Sequence, residues 1–175
     1  MKKTFSSIVN ILLGLAVVGF IGYKISIQPK FDNGEKVPSF STTLINGESF
    51  SLDEMNGRYV LLDFWGSWCG PCRQQSPDLV KLHQKFYGKK FKDASGFNIV
   101  SVAIETNEKR WKKAIQSDNR DWPHHIVQLD RFDGPIATQY GVKEIPTKYL
   151  LGTDGAVLMV NPSFKELDAF FDEKK

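Results

Sequence analysis

Short apolar runs alternate with longer stretches of helical periodicity from residue 39 to the carboxyl terminus. Two continuous apolar runs, YVLLDFW at 59–65 and FNIVSVAI at 97–104, are typical of strands buried on both faces of a sheet. Shorter runs at HIVQL, TKYLLG and AVLMV predict three more strands. The order of these runs with the helical segments between them predicts an α/β fold. Its mixed sheet is flanked by helices, parallel near its start and antiparallel at its end.

Apolar residues three or four positions apart predict four helices in this part of the chain. The helical segments are residues 71–87, residues 107–118, GPIATQYG and SFKELDAFFDEK. Asn107 is a plausible cap for the second of them. Ser163 and Glu166 have the spacing of a capping box at the start of the last one. These signals fix where the predicted helices begin.

Two tight-turn signals predict β-hairpins. Asn46 and Gly47 separate FSTTL from ESFSL, and Asp154 and Gly155 separate the last two predicted strands. The first of these hairpins precedes the first long strand, so it is an amino-terminal extension of the sheet domain.

The amino-terminal segment predicts a membrane anchor over residues 1–27. Thr4 to Tyr23 carries no charge, and its 20 residues match a hydrocarbon core about 30 Å thick. A cleaved signal peptide is the alternative, but no A-x-A-like site follows the apolar run. Lys2 and Lys3 favour an amino terminus in the cytoplasm. Residues 28–38 are polar and predict a linker, which leaves residues 39–175 as the folded domain.

Composition excludes several classes of protein. The chain is 41% hydrophobic and 25% charged with a net charge of +3, which is typical of a globular domain. No concentrated basic footprint indicates nucleic-acid binding. Two cysteines and three histidines, with the histidine pair adjacent in sequence, do not match the four-ligand spacing of a zinc site. We therefore predict no metal and no cofactor.

Both cysteines lie in one stretch, DFWGSWCGPCRQQSP. Cys69 is predicted at the carboxyl end of a strand and the start of a helix, where free backbone N–H groups and the helix dipole stabilise a thiolate. Pro71 suits the first turn of that helix. Cys72 lies one turn further in, so we expect it to be buried and to resolve a mixed disulfide. Asp63 interrupts an apolar run at a cost, and we expect it to accept the proton of Cys72, through water.

The combination resembles thioredoxin. The matching residues are WCGPC, Asp63 six positions before Cys69, Pro77 five positions after Cys72, and IPT at 145–147. The resemblance covers residues 39–175 and implies the thioredoxin fold. It also implies a cis peptide at Ile145-Pro146, in a loop that faces the cysteines and docks extended substrate backbone.

Further substrate contacts are expected around Cys69. Trp68 is its immediate neighbour and is expected to shield the sulfurs and to contact substrate, together with Gly70 and Pro71 of the motif. Glu105 ends the second buried strand at the same edge of the sheet, where acids are common for solubility.

One branch of the superfamily is more similar than the rest. The anchor, the amino-terminal hairpin and the longer insert at 107–130 resemble TlpA/ResA-like oxidoreductases, which are tethered outside the bacterial cytoplasmic membrane. Many of these reduce apocytochrome cysteines during cytochrome c maturation. The chain departs from that branch at Gln75, where glutamate is common, and at Asp63, where asparagine is frequent. These departures weaken the cytochrome role and leave the dithiol chemistry intact.

The resemblance implies an enzyme that reduces protein disulfides by dithiol exchange through Cys69 and Cys72. Its expected partners are cysteine-containing protein substrates and a membrane electron donor that re-reduces the site. The expected location is the bacterial inner membrane, single-pass, with the catalytic domain on the periplasmic side. Two alternatives stay open: a non-catalytic membrane-anchored holdase for cysteine-containing chains, and a peroxidase-like member of the same fold.

Overall fold

The computed structural model describes residues 2–175, with side chains described from residue 10 onward. The strands are β1 (Ser41–Thr43), β2 (Ser49–Ser51), β3 (Tyr59–Trp65), β4 (Phe97–Ile104), β5 (His124–Gln128), β6 (Thr147–Leu151) and β7 (Val157–Val160). The helices are α1 (Lys2–Ser26), α2 (Gly70–Gln74), α3 (Ser76–Phe86), α4 (Glu108–Ser117), α5 (Pro135–Gln139) and α6 (Phe164–Lys174). The predicted strands and helices of the domain are all present, with one change in a helix described below.

Five strands form one mixed sheet in the order β5-β4-β3-β6-β7. β3 runs parallel to β4, and β4 runs parallel to β5. β6 is antiparallel to β3 and to β7. The predicted change from parallel to antiparallel pairing is therefore confirmed. β1 and β2 form a separate antiparallel hairpin around Gly47, which has a φ of +88°.

Both faces of the sheet are covered, which explains the unbroken apolar run of β3. Val60, Leu62 and Phe64 pack into a core with residues of the β1–β2 hairpin and α5. Tyr59 and Leu61 point to the other face and pack with residues of α3 and α6. Successive side chains of a strand alternate between faces, so Asp63 lies on the α3 face.

The helix predicted over residues 71–87 is divided at Gln75. Pro77 has no N–H to donate to the carbonyl four residues earlier, so the helical ladder cannot continue through it. The backbone N–H groups of Asp78 and Leu79 both donate to the Gln75 carbonyl, each at 3.1 Å. The result is a short α2 that contains Cys72 and is capped by Cys69, followed by the longer α3.

The predicted helix starts are confirmed at α4 and α6. The side chain of Asn107 accepts a hydrogen bond from the Arg110 backbone N–H at 3.0 Å. Ser163 and Glu166 form the capping box predicted for α6. The capping signals in the sequence thus located the start of both helices correctly.

The predicted transmembrane helix is not confirmed. The segment lies in α1, and its first residues, up to residue 9, lie outside the described side chains. Within the described part of the chain, no helix has the length and apolar character needed to cross a membrane.

The segment predicted as a linker, residues 28–38, lies against the domain. Phe31 packs edge-on against Tyr140, with ring centroids 5.7 Å apart. Lys36 forms an isolated β-bridge with Ala156 at the edge of the sheet. We call this segment the amino-terminal strap. Its polar composition predicted a free tether, but one aromatic side chain and a few backbone hydrogen bonds are enough to bind it.

Candidate active site

The two cysteines form a disulfide at the start of α2, just after the end of the central strand β3. Cys69 is the N-cap of α2, and its sulfur accepts a hydrogen bond from the backbone N–H of Cys72 at 3.2 Å. The S–S distance is 2.04 Å and the Cα atoms are 5.3 Å apart. Cys69 is 5% exposed and Cys72 is 1% exposed. The structure thus holds the pair in its oxidised form, with Cys69 nearer to solvent.

A loop between α5 and β6 faces the disulfide. The Ile145-Pro146 peptide is cis, as the resemblance implied. The carbonyl oxygen of Ile145 lies 3.8 Å from the sulfur of Cys69. The side chain of Ile145 packs against the apolar cluster that contains both cysteines. The chain therefore brings this loop and the cysteine pair together from positions far apart in sequence.

Trp68 forms the other side of this surface. Its indole N–H donates to the carbonyl of Ile104 at 2.7 Å, and its ring is 38% exposed. Arg131 lies over the ring, 5.0 Å from the centroid, and Phe132 meets it edge-on. Gly66 makes room for this arrangement, because a Cβ at that position would lie 2.8 Å from the indole nitrogen.

We call the surface around Cys69 the outer rim. Its members are the five residues predicted as substrate contacts: Trp68, Gly70, Pro71, Ile145 and Pro146. Gly70 and Pro71 are exposed, and Ile145 and Pro146 are partly buried. The rim is largely apolar, and its members Trp68, Gly70 and Pro71 are exposed to solvent.

Glu105 supports the loop that precedes the cysteines. It is buried, and its carboxylate accepts a hydrogen bond from the backbone N–H of Ser67. Its own backbone N–H donates to the carbonyl of Gln128 at 2.8 Å. Glu105 therefore ties the start of the active-site loop to the sheet, which is a structural task.

Asp63 lies on β3, six residues before Cys69, in a buried ion pair that we call the inner side of the site. Its side chain is 2% exposed, and its Oδ2 accepts hydrogen bonds from Arg120 Nη1 at 3.0 Å and from Ser101 Oγ at 3.3 Å. Among the described residues, no hydrogen bond joins Asp63 to either cysteine. The proton transfer from Cys72 to Asp63 that the sequence predicts would therefore need an intermediary such as water, and it stays a prediction.

Arg120 is a buried residue that the sequence did not single out. Its side chain is 0% exposed. The guanidinium donates from Nε to Ser76 Oγ at 3.0 Å and lies 3.8 Å above the centre of the Trp65 ring. It thereby joins β3 to the first residue of α3.

Lys148 brings a second cation to the same place. Lys148 on β6 is the register partner of Asp63 on β3. Its Nζ donates a hydrogen bond to Gln75 Oε1 at 2.5 Å. Burial lowers the pKa of Lys148, and the charge of Asp63 partly offsets this. Gln75 is the residue where the similar branch often has glutamate, so here a neutral amide meets the buried ammonium group.

Sequence reasoning missed Arg120, Ser76, Ser101 and Lys148. Arg120 follows α4 in a polar stretch, where a charged residue normally faces solvent. Lys148 stands inside the apolar strand TKYLLG, and that position is the one available signal. Among the described residues, no group of three or more histidine, cysteine, aspartate or glutamate side chains is arranged to hold a metal ion.

A disulfide at the end of the central strand, opposite a cis-proline loop, defines a class of dithiol–disulfide exchange proteins with the thioredoxin fold. A family profile described as Thioredoxin-like matches residues 56–157. The chain belongs to this thioredoxin-like family, and it is a thiol–disulfide oxidoreductase similar to ResA.

Relatives of similar length support this assignment. The thiol-disulfide oxidoreductase ResA of Bacillus cereus is 31% identical over 163 residues, which cover 90% of this chain and 88% of the relative. The thioredoxin-like protein YneN of Bacillus subtilis is 29% identical, with 90% of this chain and 88% of the relative covered.

Solved structures agree with the fold. The thioredoxin domain of a thiol-disulfide oxidoreductase from Bacteroides vulgatus superposes with a TM-score of 0.69 at 28% identity, covering 81% of this chain and 99% of that one. A thiol:disulfide interchange protein from a Bacteroides species gives a TM-score of 0.67 at 28% identity, covering 81% of this chain and 91% of that one.

Proposed function

We propose that the chain reduces disulfides in other proteins, with Cys69 as the attacking thiol and Cys72 as the resolving thiol. One observation carries the proposal: Cys69 follows the exposed Trp68, its sulfur lies 3.8 Å from the Ile145 carbonyl oxygen, and it is 5% exposed, whereas Cys72 is 1% exposed. This arrangement favours Cys69 over Cys72 as the sulfur that a substrate disulfide meets first.

In the first step the thiolate of Cys69 attacks one sulfur of the substrate disulfide. A bond forms between Cys69 and that sulfur, and the other substrate sulfur leaves as a thiolate and takes a proton from solvent. The hydrogen bond from the Cys72 backbone N–H to the sulfur of Cys69 supports the thiolate in this step. Trp68 and the cis-proline loop hold the substrate backbone beside it.

In the second step Cys72 loses its proton and attacks the sulfur of Cys69. The Cys69–Cys72 disulfide forms, and the substrate cysteine is released as a thiolate, so two electrons have passed to the substrate. Asp63 is the proposed acceptor of the Cys72 proton through water. It is the buried carboxylate on the α3 face of β3, two residues from the end of the strand that leads into the site.

The oxidised site must then receive two electrons from a dithiol donor. We propose that a membrane protein supplies them, and that the chain is held at the bacterial cytoplasmic membrane by its amino-terminal helix with the domain in the periplasm. Ten large apolar side chains of α1 between residues 11 and 25 are exposed, which supports a lipid-facing helix. Cytochrome c maturation is the process proposed for it, by its similarity to proteins named ResA.

Insulin reduction by a dithiol, followed as precipitation of the freed chain, tests the reaction. We expect catalysis by the native chain and none by Cys69→Ser. A holdase without turnover would give no catalysis in either case and would overturn the proposal.

The direction of electron flow is tested by the redox equilibrium of the pair in dithiol buffers. A potential near that of reducing members, about −270 mV, supports the reductase, and one above about −150 mV overturns it. Membrane attachment is tested separately, by whether the full chain stays with bacterial membranes after alkaline extraction and a chain shortened to begin at residue 28 does not.

A further inference from the structure

A row of four buried polar side chains crosses the five-stranded sheet. The strand registers place Lys148, Asp63, Ser101 and His125 next to one another on β6, β3, β4 and β5. All four are buried. Neighbours paired in register share a face of the sheet, so these side chains lie on the α3 side, as Asp63 does. A continuous polar row inside an apolar core is costly, and its members need partners.

Arg120 supplies the partner for the one anion in the row. Its Nη1 bonds Asp63 Oδ2 at 3.0 Å, and its Nε bonds Ser76 Oγ at 3.0 Å. Ser76 Oγ in turn donates to Asp118 Oδ2 at 3.2 Å, and Asp118 is held by Arg73 at the surface. The guanidinium therefore links β3 with the helix that follows the cysteines.

The hydrogen bonds to Asp63 are one-sided. Both bonds from the described residues go to Oδ2, and none goes to Oδ1. A carboxylate whose one oxygen is fixed by a guanidinium and a hydroxyl has its other oxygen left as the proton acceptor. Among the described residues, Oδ2 of Asp63 therefore has two donors and Oδ1 has none.

Other titratable groups face Asp63 from the neighbouring strands. Lys148 lies opposite on β6, and burial lowers its pKa. His125 lies beyond Ser101 on β5, and burial lowers its pKa to about 4. His125 is therefore neutral near pH 7, and Arg120 is the charged group in direct contact with Asp63.

We propose that Arg120 is a positioning residue for the resolving step: it fixes Oδ2 of Asp63 so that Oδ1 accepts the proton released by Cys72. The proposal rests on the dithiol exchange proposed above. It assigns to Arg120 an effect on the second step of exchange and none on the first, because the first step depends on the sulfur of Cys69 and on the outer rim.

An aromatic disulfide whose thiolate is coloured separates the two steps. Reduced protein releases one coloured thiolate when Cys69 attacks and a second, with one proton, when Cys72 displaces it. Stopped-flow absorbance therefore records two phases. We expect Arg120→Met to slow the second phase by at least about tenfold, which is a part of the roughly 10²–10⁴-fold contribution of a general base, and to leave the first phase within about twofold.

Conservative variants keep the test decisive if Arg120→Met folds poorly. Arg120→Lys retains a cation for Asp63 and is expected to recover most of the second-phase rate, while Arg120→Gln retains a donor without charge and is expected to recover little. Asp63→Asn is expected to slow the second phase as Arg120→Met does, and the double variant is expected to be no slower than either single one.

The pH profile gives a readout that a purely structural role would not move. In Asp63→Asn the proton of Cys72 must leave directly to solvent, so the second phase should rise more steeply with pH than in the native chain, and Arg120→Met should shift toward the Asp63→Asn profile. Equal slowing of both phases, or an unchanged second phase in Arg120→Gln, would overturn the role of Arg120. Failure of the native chain to release the second thiolate would instead overturn the proposed function.

Discussion

The outer rim and the inner side of the site are built from opposite kinds of contact. On the rim, apolar side chains and backbone atoms surround Cys69, and Trp68 is held by a hydrogen bond to the Ile104 carbonyl. On the inner side, the buried ion pair of Asp63 and Arg120 lies among hydroxyl groups. The rim is suited to contact with varied peptide backbones, while the inner side is suited to moving a proton.

The difference shows how two identical residues could be given the two roles that we propose for them. Both sulfurs are bonded to each other and only a few percent of either residue is exposed, so exposure alone separates them weakly. The surroundings do more, since apolar rim residues lie beside Cys69 and charged groups lie on the inner side of the site. Four experiments test this division, from the largest expected effect to the smallest.

Substitution of the cysteines tests most directly whether the two sulfurs have different roles. Cys69→Ser should abolish both attack and turnover, whereas Cys72→Ser should abolish turnover and leave attack intact, so that mixed disulfides accumulate. Gel shift after alkylation, with and without reductant, measures the trapped species. Equal trapping by the two variants would contradict the assignment of roles.

Arg120→Met tests the contribution of the buried ion pair to the stability of the protein. Removing one partner of a buried ion pair leaves the other charge uncompensated, and we expect a loss of about 3–5 kcal/mol in the free energy of unfolding. Denaturant unfolding of the oxidised protein measures it. The matched control is Arg73→Met, which removes a cation whose side chain is 41% exposed from its pair with Asp118, and which should cost about 1 kcal/mol or less. Similar losses in both variants would contradict the difference between surface and interior.

Acid should lower the free energy of unfolding through His125, a buried member of the polar row that includes Asp63. Burial lowers the pKa of His125 to about 4, below its ordinary value of about 6.5, so the unfolded chain binds the proton more readily. The stabilisation is complete above about pH 6.5 and is lost as the pH falls toward about 4, by up to about 3 kcal/mol.

The comparison with His125→Phe isolates that contribution. Phenylalanine can keep the stacking on Trp122, whose ring lies 5.3 Å away, but it has no proton to gain. The variant should show a shallower fall in the free energy of unfolding over this pH range, with a remainder from His83 and His124, whose pKa values are also lowered by burial. An unchanged slope would contradict the burial argument.

Trp68→Ala should give the smallest effect and one confined to the rim. Loss of the exposed ring should lower kcat/KM for a protein disulfide by about tenfold and leave the reaction with a small aromatic disulfide nearly unchanged. Steady-state rates with the two substrates measure the split. An equal loss with both substrates would indicate that Trp68 supports the sulfurs themselves.

The fold was predictable to a large extent because its signals are local. The apolar runs of β3 and β4, the cap at Asn107 and the capping box of α6 depend on residues that are neighbours in sequence. The division of the predicted helix at Gln75 was missed, although Pro77 is visible in the sequence. Pro77 stands in the first turn of a second helix, α3, and the apolar spacing of residues 71–87 does not show that a new helix begins there.

The outer rim of the site was predictable from the sequence, whereas on the inner side only Asp63 was. WCGPC and the Ile145-Pro146 dipeptide locate the outer rim, since each is a short motif. The inner partners of Asp63 come from a loop after α4 and from β6, and nothing local marks Arg120 as buried. Only the register of the sheet and the packing of the loop over Trp65 bring them together.

The amino-terminal strap has a practical consequence for anyone preparing the domain alone. A chain cut at residue 39 would discard Phe31, uncover the ring of Tyr140, and free the sheet edge at Ala156 for intermolecular strand pairing. A recombinant fragment that begins at residue 28 keeps that edge covered. The two fragments should therefore differ in their tendency to aggregate more than in their redox behaviour.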